Sequence, residues 1–175
     1  GVFLDDYLGI DVDPDGVTLT NVPVIDLAVA GLTTTRVGGT LSATADTEYR
    51  IEVFSSSAAG VTGYGEGESY LGAVDVTTDA TGFARFSFST STLVTIGHFI
   101  AATATSQSEG TSEFALSGAT RASILVTNTN EFAAGSLVAA IADANGNAGG
   151  DVIEFDIPGA GPHTIPVTAG PLPVI

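Results

Sequence analysis

Between about residue 30 and residue 118 the polarity of the chain changes at every second position, and turn residues interrupt that rhythm at short intervals. In "EYRIEVF", Tyr49, Ile51 and Val53 fall on one side, and Glu48, Arg50, Glu52 and Phe54 on the other. In "FARFSF", Ala84, Phe86 and Phe88 oppose Phe83, Arg85 and Ser87. A period of two sends alternate side chains to opposite faces of a strand, and a helix cannot satisfy it. The expected segments are "RVGGTLSAT", "EYRIEVFSS", "SYLGAVDVTT", "FARFSFST", "HFIAATATS" and "SEFALS". Short strands with one apolar face imply antiparallel sheets that bury one side and wet the other.

With "VPVIDLAVA" counted first, the strands number seven, the count of an immunoglobulin-like β-sandwich. The core of such a sandwich must be made without the usual pins, because cysteine and tryptophan are absent. Phe and Leu are left to fill it. No disulfide and no thiolate metal site can form, and without lysine there is no Lys–Asn isopeptide link. In "TTDATGFA", Gly82 can take the positive φ of a tight hairpin. The turn-rich "GVTGYGEGESYLG" is expected as a loop at one end of the sandwich.

Beyond Arg121 the rhythm changes. Leu137, Val138, Ala140, Ile141 and Ala144 recur at helical spacing, which predicts a helix over 135–144 ended by "GNAGG". "DVIEFDI" returns to strand, with Val152, Phe155 and Ile157 available for burial, and a Pro/Gly-broken extended tail follows. The organisation read from the chain is an extended N-terminal segment (1–29), a sandwich (30–121) and a strand–helix–strand segment with a tail (122–175).

Twenty acidic residues stand against four basic ones, all arginine, for a net charge of −16. So few cations cannot displace the counterions of a nucleic acid, and an anionic membrane would repel the chain. No stretch reaches the length of a membrane span. Such acidity keeps a protein in solution, and the partners it admits are divalent cations or protein surfaces. The chain opens on Gly1 rather than Met and is expected to be a processed, exported product.

Two stretches carry a resemblance. "YGEGESYLGAVDVTTDATGFARFSFST", followed by "GHFIAATATSQSEGTSEFALS", resembles an immunoglobulin-like module found between right-handed parallel β-helix segments of large bacterial surface proteins. "ILVTNTNEFAAGSLVAAIADANGNAGGDVIEFDIPG" is similar to the CSLREA-type start of such a β-helix, and "YLGIDVDPDGVT" to its last rung. The chain departs from the pattern at His98, where the module usually has Gln, and at Val138, where it usually has Arg. The resemblance implies an all-β protein: a seven-stranded immunoglobulin-like sandwich with a small β-helix-like C-terminal appendage and an extended N-terminal strand. It implies an extracellular, structural or adhesive role at a bacterial cell surface. It also implies that the helix caps a solenoid, whose single rung cannot bury its own face.

Both extremities therefore read as incomplete pieces. Val2, Phe3, Leu4, Tyr7, Leu8 and Ile10 at one end, and Leu172, Val174 and Ile175 at the other, are the apolar residues expected to mediate self-assembly with copies of the same chain. Strand addition at an open edge is the expected mode, and a head-to-tail contact of that kind closes a ring or grows a filament. The other reading has the tail folding back on its own sandwich, or the chain as one unit of a long repeat protein. For metal, "DVDPDG" places Asp11, Asp13 and Asp15 at alternate positions before Gly16, as at the start of a calcium loop. Val22 stands where an EF-hand needs its bidentate acid, so Asp5, Asp6 or a neighbouring chain would have to complete the site. Asp143, Asn145, Asn147 and Asp151 repeat the rhythm, though Asn and Gly also simply end helices. Glu66, Glu68, Glu109 and Glu113 form a third candidate calcium set if their loops meet; otherwise each is a solvated acidic residue.

Catalysis finds little footing. The two histidines, His98 in an expected strand and His163 in the tail, have no evident nucleophile, and "AGSLVA" lacks the second glycine of a nucleophile elbow. The reading is a non-enzymatic, calcium-stabilised, self-assembling surface protein. Its rivals are an adhesin repeat that binds surface glycans through Tyr64 and Tyr70, and a fragment of a polysaccharide-active enzyme.

Overall fold

Tyr49, Ile51 and Val53 are each at most 1% exposed, while Glu48 and Arg50 between and beside them face solvent. Ala84, Phe86 and Phe88 point inward in the same way from between the exposed Phe83, Arg85 and Ser87. The computed structural model describes residues 21–60, 63–64, 66–116, 118–146 and 151–174. Among the described residues the regular structure is mostly strand, in two sheets, with one short helix. The chain divides into two units, Gly1–Thr120 and Arg121–Ile175.

The first unit holds strands β1 (Val24–Ala30), β2 (Thr35–Ser42), β3 (Glu48–Ser56), β4 (Ser69–Thr77), β5 (Phe83–Thr90) and β6 (Phe99–Ser106). Two-residue strands follow, β7 (Gly110–Thr111) and β8 (Gly118–Ala119). One sheet runs β1–β2–β5 and the other β4–β3–β6, with β7 and β8 both pairing with β6. Among the described residues every strand pair within this unit is antiparallel. Val37, Leu41, Phe86 and Phe88 from the first sheet meet Tyr49, Ile51, Val53, Ile100, Ala102 and Ala104 from the second. Burying such aliphatic and aromatic side chains stabilises a fold by about 1.5–3 kcal/mol each, which is how this core forms without a disulfide.

Two segments differ from what alternation implied. The turn "TTDATGFA" is tight, but the strands it joins belong to different sheets, since β4 pairs with β3 and β5 with β2. Asp79 organises it. One carboxylate oxygen accepts the N–H groups of Thr81 (2.8 Å) and Phe83 (3.1 Å), and the Gly82 N–H reaches the Asp79 carbonyl (2.8 Å). Gly82 has φ +82°, and a Cβ there would lie 2.2 Å from the Ala43 carbonyl oxygen. The turn is thereby pressed against the β2–β3 connection. Alternation reports which face a residue takes but not which strand lies beside it.

The second segment is "SEFALS". Its described residues run beside β6, through Ser112 N–H to Ala104 O (2.8 Å) and Ala115 N–H to Ala102 O (2.7 Å), yet they form no regular strand. Ser112, Glu113, Phe114 and Ala115 are buried in succession, so period two is lost. The Ser112 hydroxyl also donates to the Glu113 carbonyl and accepts from Ala104 N–H, replacing ladder bonds with local ones.

The second unit contains β9 (Arg121–Val126), α1 (Leu137–Gly146) and β10 (Val152–Phe155). Strand β10 lies parallel to β9, with Val152 opposite Ser123 and Phe155 opposite Val126. The helix starts two residues later than its apolar spacing implied because Ser136, fully buried, is its N-cap: its hydroxyl accepts the Ala139 N–H at 3.2 Å. Ala140 and Ile141 are buried, and Leu137, Val138 and Ala144 are half-buried. Phe155 is the exception among the expected core residues, at 60% exposed.

Candidate functional site

The four glutamates considered as one calcium set are not gathered. Glu109 sits beyond the end of β6, at the level of Tyr49, near the start of β3. One of its oxygens accepts from the Thr44 hydroxyl, the other from the Tyr49 hydroxyl and from the Asn21 amide at 2.7 Å. Those bonds, Thr44 first and Tyr49 next, hold the Glu109 carboxyl below its ordinary pKa. Tyr49 is shifted upward, by burial first and then by its bond to Glu109. Both directions describe one neutral phenol donating to one carboxylate. Glu68 lies at the other end of β3, where it accepts the Ser57 N–H (2.8 Å) and hydroxyl (3.0 Å), which lower its pKa. At a rise of ~3.3 Å per residue, the length of β3 separates the two carboxylates by roughly 25 Å. Glu66 folds over Gly60, and Glu113 is 2% exposed beside the middle of β6. A shared ion is out of reach for Glu68 and Glu109.

At the Glu68 end a small aromatic cluster forms. The Phe54 ring meets Phe114 edge-on at 5.3 Å and Tyr70 at 5.5 Å. Gly67, at φ +64°, packs on Phe114 so closely that a Cβ would lie 2.5 Å from the ring. Tyr64 bridges to Leu116. The loop "GVTGYGEGESYLG" is thus tied down at its described residues. Tyr70 stays 54% exposed, and its hydroxyl bonds to Arg50, whose pKa it raises; Arg50 also pairs with Asp75 at 3.3 Å.

In the second unit the outer edge of β10 is the notable feature, for among the described residues only β9 pairs with it. Asp156 N–H donates to Val126 O at 2.9 Å. Because N–H groups alternate sides along a strand, those of Glu154 and Val152 also turn toward β9, and those of Ile153 and Phe155 turn outward. The tail folds against its own unit. The Glu131 carboxylate accepts the Thr168 N–H and hydroxyl and the Ala169 N–H, all at 2.7 Å, and Asn145 donates to the Val174 carbonyl at 2.9 Å. Leu172 is half-buried, whereas Val174 is 89% exposed. Glu131 was not singled out from the sequence; its partners lie 37 and 38 residues away, and no local motif marks it.

Asp143 and Asn145 are exposed on α1, and Asp151 precedes β10. Asp5, Asp6, Asp11, Asp13, Asp15, Asn147, Val2, Phe3, Leu4, Tyr7, Leu8, Ile10 and Ile175 lie outside the described residues. Among the described residues no three His, Asp or Glu side chains gather as they would round a metal ion. His98 does not lie within β6; it precedes it, its N–H donating to the Thr95 carbonyl and its carbonyl accepting from Thr120. No described helix is long and apolar enough to cross a membrane. No protein-family model matches the chain, and no curated protein matches it.

Proposed function

We propose that this chain is a structural component of a bacterial cell surface, an immunoglobulin-like sandwich carrying a β-helix-like cap, and that copies of it join head to tail into an extracellular filament. The observation that carries the reading is the parallel β9–β10 pair, whose outer edge has no strand beside it among the described residues. Parallel pairs are seldom left open, because their edges present unsatisfied N–H and C=O groups to any passing strand. The donor in this reading is the apolar stretch at residues 2–10 of the next copy. That stretch carries Asp5 and Asp6 with Asp11, Asp13 and Asp15 beyond it, while β10 is flanked by Asp151 and Asp156. Two acidic strands repel, and calcium held by Asp11, Asp13 and Asp15 is the proposed remedy.

The test is to substitute Phe155→Pro. Proline deletes an outward N–H and leaves the Asp156-to-Val126 bond in place. Light scattering and negative-stain microscopy should show filaments of the unaltered chain and no filaments of the variant, and deletion of residues 1–10 should act alike. Filaments that survive both changes would end the strand-addition reading.

The exposed Tyr70, braced by Phe54 and Arg50, favours a second reading: an adhesin module that stacks a sugar ring on that side chain. Glycan-array binding by a monomeric preparation, lost in Tyr70→Ala, would support it.

A further inference from the structure

The arginines are distributed unevenly over the sandwich. Strands β2 and β5 contain no acidic residue at all, in a chain with 20 of them. Their outward row sets Thr40 opposite Arg85 and Ser42 opposite Phe83, with Leu27 of β1 lying over Gly38 beside them. Arg85 is exposed, and its guanidinium lies 5.6 Å from the centre of the 37%-exposed Phe83 ring, a cation–π contact. Among the described residues no carboxylate pairs with it.

The opposite face of the same sandwich has the complementary character. Asp46, Glu48 and Asp75 border an open groove of about 680 Å³ whose other wall is Thr105, Ser106, Gln107 and Ser108. A single cation, Arg50, lies in it, already paired with Asp75. The groove is therefore net negative and lined with hydroxyl and amide acceptors, which suits a planar guanidinium with five donors.

We propose that Arg85 of one copy enters the Asp46–Glu48–Asp75 groove of the next, so that sandwiches stack face to back. The occupant is a second copy because the β2–β5 row displays a cation and no acid, Asp26 lying beyond it on β1, whereas the groove displays three acids and one cation already paired. The two surfaces lie on opposite faces near the same end of the sandwich: Phe83 begins β5 beside the Asp79 turn, and Glu48 begins β3, whose preceding loop touches that turn. A contact between opposite faces is heterologous, so it closes a ring or repeats as an open stack. This association is lateral, through sandwich faces, and stands independently of any strand added at β10.

Salt alone is a poor probe, because it screens both the arginine–acid attraction and the mutual repulsion of two highly anionic molecules. Charge reversal separates them. In sedimentation velocity on the full chain carrying Phe155→Pro, Arg85→Glu should weaken self-association at least about tenfold, the range for truncating a charged interface partner. Glu48→Arg should weaken it as well, although it lowers the net negative charge and would on bulk grounds favour association. The double variant Arg85→Glu/Glu48→Arg restores complementarity and should recover most of the loss. The milder Arg85→Gln should fall in between. Stronger association in Glu48→Arg, no recovery in the double variant, or no self-association of the Phe155→Pro parent would overturn the proposal.

Discussion

Tyr49, at 1% exposed the largest fully buried side chain of the sandwich, donates its hydroxyl hydrogen to the carboxylate of Glu109, sixty residues away on the β6–β7 turn. A core residue and a surface turn are thereby coupled, and the same carboxylate ties in Thr44 and Asn21. Replacing Tyr49 with Phe keeps the buried ring and removes the bond. The expected loss is about 1 kcal/mol, the usual net worth of a hydrogen bond, read as a shift in the urea midpoint with an unchanged slope. A variant as stable as the parent would mean the bond contributes nothing.

The same pair sets two limits in pH. Glu109 has a folded pKa below the 4.5 of a free glutamate, so its contribution is present above about that pH and is lost as pH falls through the lower folded value. Tyr49 is shifted above 10.0, so its contribution is complete below that pH and is lost as pH rises through the raised value. Thermal melting followed across pH should therefore show an acid limb that moves in Glu109→Gln and an alkaline limb that moves in Tyr49→Phe. Substitutions that leave both limbs in place would break the link.

Two glycines should resist replacement for different reasons. Gly82→Ala meets a carbonyl oxygen at 2.2 Å in a left-handed backbone, and should destabilise the whole sandwich by roughly 1–2 kcal/mol or more. Gly67→Ala is also strained by a left-handed backbone (φ +64°), but it meets a ring rather than a carbonyl, so the global loss should be smaller than at Gly82 and faster proteolysis of the 60–68 loop should be the main effect. Equal global losses at both sites would contradict that division.

Glu131 should govern the tail. Its carboxyl lies below the ordinary pKa, through the Ala169 N–H first and then the Thr168 hydroxyl, so the three bonds persist above about pH 4.5 and open as pH falls through the folded value. In Glu131→Ala at neutral pH, amide exchange at Thr168 and Ala169 should accelerate on the order of tenfold while the strand amides of β6 keep their protection. Unchanged exchange at those two amides would show that other contacts hold the tail.

Chelation tests the metal reading. If calcium joins acidic strands of neighbouring copies, excess EDTA at low salt should lower the melting temperature of the filaments and leave the Phe155→Pro variant, which accepts no added strand, nearly unaffected. An equal shift in both would place the ion within one sandwich.

What could be read from the chain follows from the range of the forces involved. Strands β3 and β5 were legible to the residue, because each buries one face and period two is a local property. The helix was legible to within two residues at each end: the Ser136 cap outweighed apolar spacing at its start, and it runs on to Gly146 rather than stopping at Ala144. Pairing was not legible: the Asp79 turn looks like a hairpin whether its strands stay together or part, and the parallel β9–β10 pair leaves no mark in either strand. Acidic residues gave the least. Glu68 and Glu109 have similar surroundings in sequence, yet they serve opposite ends of β3, and their bonding is decided by Ser57 and by Tyr49 and Thr44. Glu131 depends on groups 37 and 38 residues along the chain, which no window of neighbouring residues contains.

The Asn21–Glu109 and Thr120–His98 bonds fasten the two leads of the sandwich at opposite ends of its strands. Tension applied through those leads would run along the strands, so the ladder joining β1 to β2 would be loaded in shear, all its bonds bearing the pull together instead of peeling in turn. A module fastened in this way resists stretching without any covalent staple.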